Sequence, residues 1–162
     1  MQISRSVLVL FVAAAVAICS AYAEDKPNFT GVWKLDIEKS NFGENPQQKP
    51  QSGTDIIEHK DPNLKISVTQ VGEMGEFSIT AQYTTDGKES VNEIMNNPVK
   101  TIAKWDGNTL VLDSKGEFNG NEFKMSDKMS LSSGGKVMTI DRRLDFGERA
   151  MEQKMIFEKA AK

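Results

Sequence analysis

The sequence predicts an all-β protein: a closed antiparallel up-and-down β-barrel of about 8–10 strands, preceded by a cleaved signal peptide. Three observations predict this fold. Apolar and polar side chains alternate with a period of two along most of the chain, which is typical of antiparallel strands with one buried face. Short turns separate these runs, so consecutive strands should be neighbours in a meander. Closing the meander into a barrel removes the two unpaired edges of an open sheet.

Residues 1–23 have the organisation of a secretory signal peptide. Arg5 precedes the apolar run "VLVLFVAAAVAI", which is too short to cross a bilayer as a helix. The sequence "AYA", which ends at Ala23, is a small-x-small cleavage site. Cleavage after Ala23 would leave residues 24–162 as a single domain. We therefore predict export to the periplasm or the extracellular space.

Loss of the signal peptide would also remove Cys19, the only cysteine in the chain. The mature protein would then have no thiol for catalysis, metal binding or a disulfide. Ile18 is bulky where a lipoprotein signal has a small residue, which disfavours lipidation at Cys19. Without Arg5, 19 basic residues remain against 23 acidic ones, and basic residues do not cluster with aromatic ones. Nucleic acid is therefore not expected as a partner.

The first predicted strand, 31–36, places Gly31 and Trp33 on one face. We expect Trp33 to close the narrow end of the barrel, and Gly31 to let a neighbouring backbone approach closely. The following segment, "IEKSNFGENPQQKPQS" at 37–52, is the only long stretch without alternation. Its prolines and glutamines predict an ordered arm or a flap over one end of the barrel.

Nine further strands follow, each bounded by turn residues. In "FSITAQYT", Phe77 and Tyr83 share one face, and in "EFKMSDKMSL", Met125 and Met129 do. The turns "KDPN", "TDGK", "WDGN", "FNGN" and "SSGGK" contain residues that favour tight hairpins. The predicted strands are 53–59, 64–71, 77–84, 89–95, 99–105, 109–118, 122–131, 136–144 and 150–159.

The Gly-x-Trp of "FTGVWKL" resembles the first-strand motif of the calycin superfamily, which includes the lipocalins and the fatty-acid-binding proteins. "YTTDGKES" followed by "VKTIAKWDGNTLVL" resembles the middle strands of fatty-acid-binding proteins, and "IFEKA" resembles their last strand. The whole chain is similar to small exported bacterial lipocalin-like proteins of undefined function. This resemblance implies a lipocalin-like barrel that binds a small apolar or amphipathic molecule.

Two features depart from the fatty-acid-binding pattern. Those proteins insert a helical lid after the first strand, whereas "IEKSNFGENPQQKP" cannot form two good helices. Their last strand has an Arg-x-Tyr pair that binds a carboxylate, and the matching positions here are Met155 and Phe157. Carboxylate binding in that manner is therefore not expected.

Alternation also identifies the residues that should face the interior. The last three strands place methionines there, whose adaptable side chains either form a wall for varied ligands or simply fill a core. Both interpretations remain open. The candidate ligand-binding residues are Phe77, Tyr83, Phe118, Met129, Met138, Arg142 and Met155.

Asp127 and Arg142 interrupt the apolar faces of adjacent strands. Because a buried charge needs a partner, one interpretation is an internal salt bridge between them. The other is that the Arg142 guanidinium binds an anionic head group of a ligand. The pattern of "DRRLD" also allows Arg143 to be the inward residue.

The sequence favours binding over catalysis. His59, the only histidine, lies beside "KDPN" and is predicted to be a solvated loop residue. The spacing supports neither a three-ligand metal site nor a Ser/His/Asp arrangement, so no cofactor, metal or enzyme activity is expected. Two functions remain: a carrier of a small amphipathic molecule, or a filled-core barrel acting as a protein-interaction or inhibitor module in the cell envelope.

Overall fold

The computed structural model describes residues 25–44 and 49–161, and these form ten strands. The predicted signal peptide, including Cys19, lies outside the described residues. The strands are β1 (Gly31–Asn41), β2 (Ser52–Lys60), β3 (Asn63–Gly72), β4 (Gly75–Thr84), β5 (Asp86–Ile94), β6 (Asn97–Asp106), β7 (Thr109–Phe118), β8 (Asn121–Ser132), β9 (Val137–Asp145) and β10 (Ala150–Lys159).

The ten strands form one antiparallel sheet in the order β4-β3-β2-β1-β10-β9-β8-β7-β6-β5. Sequence neighbours pair along the meander, except β4 and β5, and the first strand pairs with the last. In the ladder between β1 and β10, Trp33 faces Lys159 and Leu35 faces Phe157. The all-β meander predicted from alternation and turn residues is therefore confirmed.

The barrel is nearly closed rather than closed, because β4 and β5 stand at the two ends of the strand order. Side chains bridge this seam instead of a backbone ladder. Asn92 Oδ1 accepts the Gln82 backbone N–H at 2.8 Å, and Asn92 Nδ2 donates to the Gln82 carbonyl at 2.9 Å. Ser90 Oγ accepts the Thr84 N–H at 3.3 Å. The hairpin predicted at "TDGK" was therefore wrong: Thr85 alone links the two strands, and one residue is too short for the two-residue turn that would align them as a hairpin.

β1 extends to Asn41, beyond the predicted end at 36, because a bulge interrupts its alternation. Asp36 faces Ile156 on β10, whereas Asn41 faces Lys154, so extra residues of β1 are accommodated between these pairs. Ser40 stabilises the bulge: its hydroxyl donates to the Asp36 carbonyl at 2.6 Å and accepts the Ile156 N–H at 2.9 Å. Residues 37–41 of the predicted arm therefore belong to β1, and residues 45–48 of it lie outside the described residues.

One end of the barrel is filled by a core around Trp33, which is fully buried. The indole N–H donates to the Phe29 carbonyl at 2.8 Å, and Lys159 Nζ lies 5.1 Å from the ring centroid. A Cβ on Gly31 would come within 2.5 Å of Lys159 Cε, and Gly31 has φ +154°. Gly31 thus makes room for a side chain, and the expected close approach of a neighbouring backbone was wrong. The core comprises Phe29, Trp33, Phe42, Ile57, Leu64, Ala103, Leu110, Leu112, Met129, Met138, Ile140, Met155 and Phe157.

Candidate functional site

The interior of the barrel is packed at the Trp33 end and open at the other. Most inward-facing apolar side chains towards the second end are only half-buried, although they lie on the same strand faces as the core; Val99, beside Phe123, is an exception and is buried. Solvent therefore reaches between them, and we call this region the open half. It is lined by Val68, Phe77, Ile79, Phe123, Met125, Leu144 and Met151.

Four hairpin tips surround the open half, and each carries an exposed apolar side chain. Met74 lies between β3 and β4, Met95 between β5 and β6, and Phe146 between β9 and β10. Phe118, a predicted ligand-binding residue, ends β7 with 41% of its surface exposed. It lies on the rim of the barrel rather than inside it.

The other predicted apolar site residues divide between the two ends. Phe77 lies in the open half, whereas Tyr83 packs against the core. The three methionines chosen from the sequence, Met129, Met138 and Met155, are fully buried in the core. These three methionines therefore pack in the core. Met125 and Met151 are the methionines that line the open half.

Asp127 and Arg142 form a salt bridge inside the barrel. Arg142 donates through Nε and Nη2 to the two carboxylate oxygens of Asp127, with both distances 2.7 Å. The Asp127 side chain is 11% exposed and that of Arg142 is 28% exposed. Arg143 instead points outward to Glu152, at 2.9 Å, so the register leaves Arg142 as the inward residue.

Asp55 is a buried carboxylate that is not among the predicted site residues. It lies on the inner face of β2, is 4% exposed, and its Oδ1 has no hydrogen-bond partner. In "GTDIIEH", Ile56 and Ile57 make either face of the strand plausible as the buried one, so alternation alone leaves Asp55 ambiguous. The structure buries Ile57 and leaves Ile56 exposed, which turns Asp55 inward.

Asp55, Tyr83, Asp127 and Arg142 interact electrostatically and form what we call the polar cluster. Burial raises the pKa of Asp55 to about 7; Arg142 opposes this rise and Asp127 adds to it. Burial, with a contribution from Asp127, also raises the pKa of Tyr83 to about 12. Burial alone would lower the pKa of Arg142, but the Asp127 carboxylate, together with Asp55 and Tyr83, outweighs it and the pKa is raised. Because β1 and β10 separate β2 from β9, Asp55 acts on Arg142 across the barrel interior.

His59 is buried, so the prediction that it is a solvated loop residue was wrong. It continues the inward face of β2, and its Nδ1 accepts the Phe29 N–H at 3.3 Å. Its ring lies 5.9 Å from those of Phe29 and Trp105. Asp61 Oδ1 lies 3.6 Å from His59 Nε2 and accepts hydrogen bonds from Thr85 and Trp105. These groups seal the packed end of the barrel.

Across the described ranges 25–44 and 49–161, histidine, cysteine and acidic side chains form no group of three or more that could hold a metal ion. The same ranges contain no helix with the length and apolarity needed to cross a membrane.

Solved structures show what this fold is similar to. The wild-type fluorescent protein UnaG aligns with a TM-score of 0.57 at 15% identity, over 82% of this chain and 97% of that one. A zebrafish ileal bile acid-binding protein complexed with cholic acid gives 0.57 at 14%, over 82% and 98%. A secretory abundant heat-soluble protein from Ramazzottius varieornatus gives 0.59 at 10%, over 81% and 94%.

No family model and no curated protein matches the sequence. The structural matches confirm the calycin-like barrel fold that the Gly-x-Trp resemblance implied. At these identities they establish the fold alone.

Proposed function

We propose that this protein is a carrier, not an enzyme, and that it binds a small amphipathic molecule inside the barrel. The observation that carries the proposal is the open half, where inward-facing apolar side chains are half-buried. A ligand there would remove apolar surface from water, which is favourable by about 25 cal/mol per Å² buried. The cholic acid complex of the zebrafish protein supports the proposal, because it contains an amphipathic ligand bound to a barrel of the same fold.

The geometry also supports one orientation of the ligand. The core fills the packed end, and the polar cluster lies within the interior. The apolar part of the ligand would contact residues such as Phe77 and Met125, and its polar end would approach Asp55 and Arg142. Met129, Met138 and Met155 would support the wall rather than contact the ligand.

Binding of Nile red, a neutral apolar dye, tests the carrier proposal. We expect saturable binding at micromolar concentrations, with displacement by some members of a panel of fatty acids, bile acids, retinoids and isoprenoids. Phe77→Asp should weaken dye binding about tenfold or more by placing a charge in the open half. Ser78→Asp, one residue away on the outer face, is the matched control and should leave binding unchanged.

Absence of saturable dye binding to the unmodified protein would contradict the carrier proposal. The filled-core interaction module would then be the better description, because the packed end already shows how closely these side chains can fill a barrel. Equal weakening by Phe77→Asp and Ser78→Asp would place the dye outside the barrel.

We also propose that the protein is exported and begins at Glu24 in its mature form. The support is the apolar run of residues 7–18 followed by "AYA". Intact mass of the protein recovered from its own host measures the cleavage site. A mass that retains Cys19 with an added diacylglycerol would show a lipoprotein and overturn the proposed start at Glu24.

A further inference from the structure

The Asp55 side chain has an unmet hydrogen-bonding requirement inside the barrel. Its Oδ1 is buried without a partner, and the residue as a whole is 4% exposed. Buried polar atoms in folded proteins are nearly always hydrogen-bonded, and leaving one unpaired is costly. Another buried polar pair in the barrel meets this rule, because the hydroxyls of Thr101 and Ser114 are bonded to each other at 2.8 Å. Asp55 Oδ1 can therefore accept a hydrogen bond from a donor outside the chain.

Arg142 does not provide that donor. Its Nε and Nη2 groups bind both carboxylate oxygens of Asp127 side-on at 2.7 Å, which is the strong bidentate geometry. Asp55 feels the Arg142 charge through space, yet its Oδ1 has no bond to the guanidinium. The single positive charge of the polar cluster is thus already matched by Asp127.

The charges in the polar cluster disfavour an anionic ligand. Two carboxyl groups, Asp55 and Asp127, and the phenol of Tyr83 interact electrostatically with one guanidinium. A carboxylate head group entering this cluster would meet two groups that repel it when ionised and a cation that already has a partner. An ammonium would instead complete the balance, with one cation for each carboxylate.

We infer that the polar cluster selects amphipathic ligands whose head group donates hydrogen bonds, an amine above all and an alcohol next, over ligands with a carboxylate. The selection rests on the proposed carrier function. In this arrangement the head group donates to Asp55 Oδ1 while the apolar chain extends into the open half. The Asp127–Arg142 pair stays intact and fixes the depth at which the head group stops.

A head-group series on one alkyl chain tests this inference on the unmodified protein. Lauryl amine, lauryl alcohol, laurate and methyl laurate each compete with bound Nile red, at a pH above the Asp55 pKa of about 7. We expect the amine to bind about tenfold or more tightly than laurate, because charge-assisted hydrogen bonds are the strong ones. The alcohol should bind more tightly than the methyl ester, which has no donor.

One conservative variant and its matched control test whether Asp55 causes the head-group selectivity. Asp55→Asn removes the charge and keeps an acceptor oxygen, so the advantage of the amine over the alcohol should disappear while the alcohol still binds. Asp141→Asn is the matched control, because Asp141 is an exposed aspartate on β9 and the substitution should leave the order of affinities unchanged.

The outcomes separate this inference from the carrier proposal. If Nile red does not bind, the carrier function fails and the selection with it. If the dye binds and all four head groups displace it equally, the carrier function stands and the inference is overturned. Preference for laurate would also overturn the inference, and would show that Arg142 recognises anions despite its bond to Asp127.

Discussion

Trp33→Ala should lower the free energy of unfolding by about 3–5 kcal/mol, the usual cost of truncating a large buried aromatic side chain. Trp33 is fully buried in the core that fills one end of the barrel. The change also removes the hydrogen bond from the indole to the Phe29 carbonyl and leaves Lys159 without the ring that it covers. Urea denaturation of both proteins measures the difference.

Val32→Ala is the matched control for this substitution, because Val32 lies on the same strand and is 38% exposed. Its cost should stay within about 0.5 kcal/mol, as for other surface substitutions. A loss below about 1 kcal/mol for Trp33→Ala would contradict the position of Trp33 in the core and the packed end built around it.

Asp55→Asn should remove a loss of stability that grows as pH rises and reaches several kcal/mol. The pKa of Asp55 is about 7 in the folded protein, against an ordinary value of 3.8. Between these values the folded state retains a proton that the unfolded state has lost, so Asp55 makes folding less favourable as pH rises through this window. The full shift corresponds to at most about 4 kcal/mol, since one pKa unit is 1.36 kcal/mol.

The measurement is the difference in unfolding free energy between Asp55→Asn and the unmodified protein, from acidic pH to above the folded-state pKa. The unfolding free energy of the variant, relative to that of the unmodified protein, should increase as pH rises. Comparing differences removes the opposite contributions of Asp61 and Asp86, whose pKa values are lowered by hydrogen bonds from Thr85 and Lys88. A difference that is constant with pH would show that the pKa of Asp55 is the same in the folded and unfolded states.

The strands could be predicted from sequence because each depends on a short, local pattern. Alternation and turn residues locate all ten strands. They misplace the end of β1, because Ser40 stabilises a bulge that interrupts the period of two. The seam was not predicted, because the turn residues of "TDGK" indicated a tight hairpin. Only Thr85 separates β4 from β5, and the two strands meet without a backbone ladder.

The candidate site was less predictable because it depends on contacts between distant strands. Asp127 and Arg142 are on adjacent strands and interrupt clear apolar faces, so their pairing could be anticipated from sequence. Asp55 lies beside two isoleucines, and its electrostatic partners are on strands that do not pair with its own. His59 was misjudged for a related reason: a turn follows it, but the Phe29 segment covers it.

The seam also determines the mechanics of the barrel. Nine strand pairs are joined by backbone ladders, and widening the wall at any of them would break many hydrogen bonds at once. At the seam, only the hydrogen bonds that join Asn92 to Gln82 and Ser90 to Thr84 need to stretch. Each contributes about 1 kcal/mol net. The circumference of the barrel can therefore change at the seam while every other strand pair keeps its register. Tyr83 lies on β4 beside the seam, in a recess of about 520 Å³ shared with Ser90. Widening the seam would therefore move Tyr83 relative to the rest of the polar cluster.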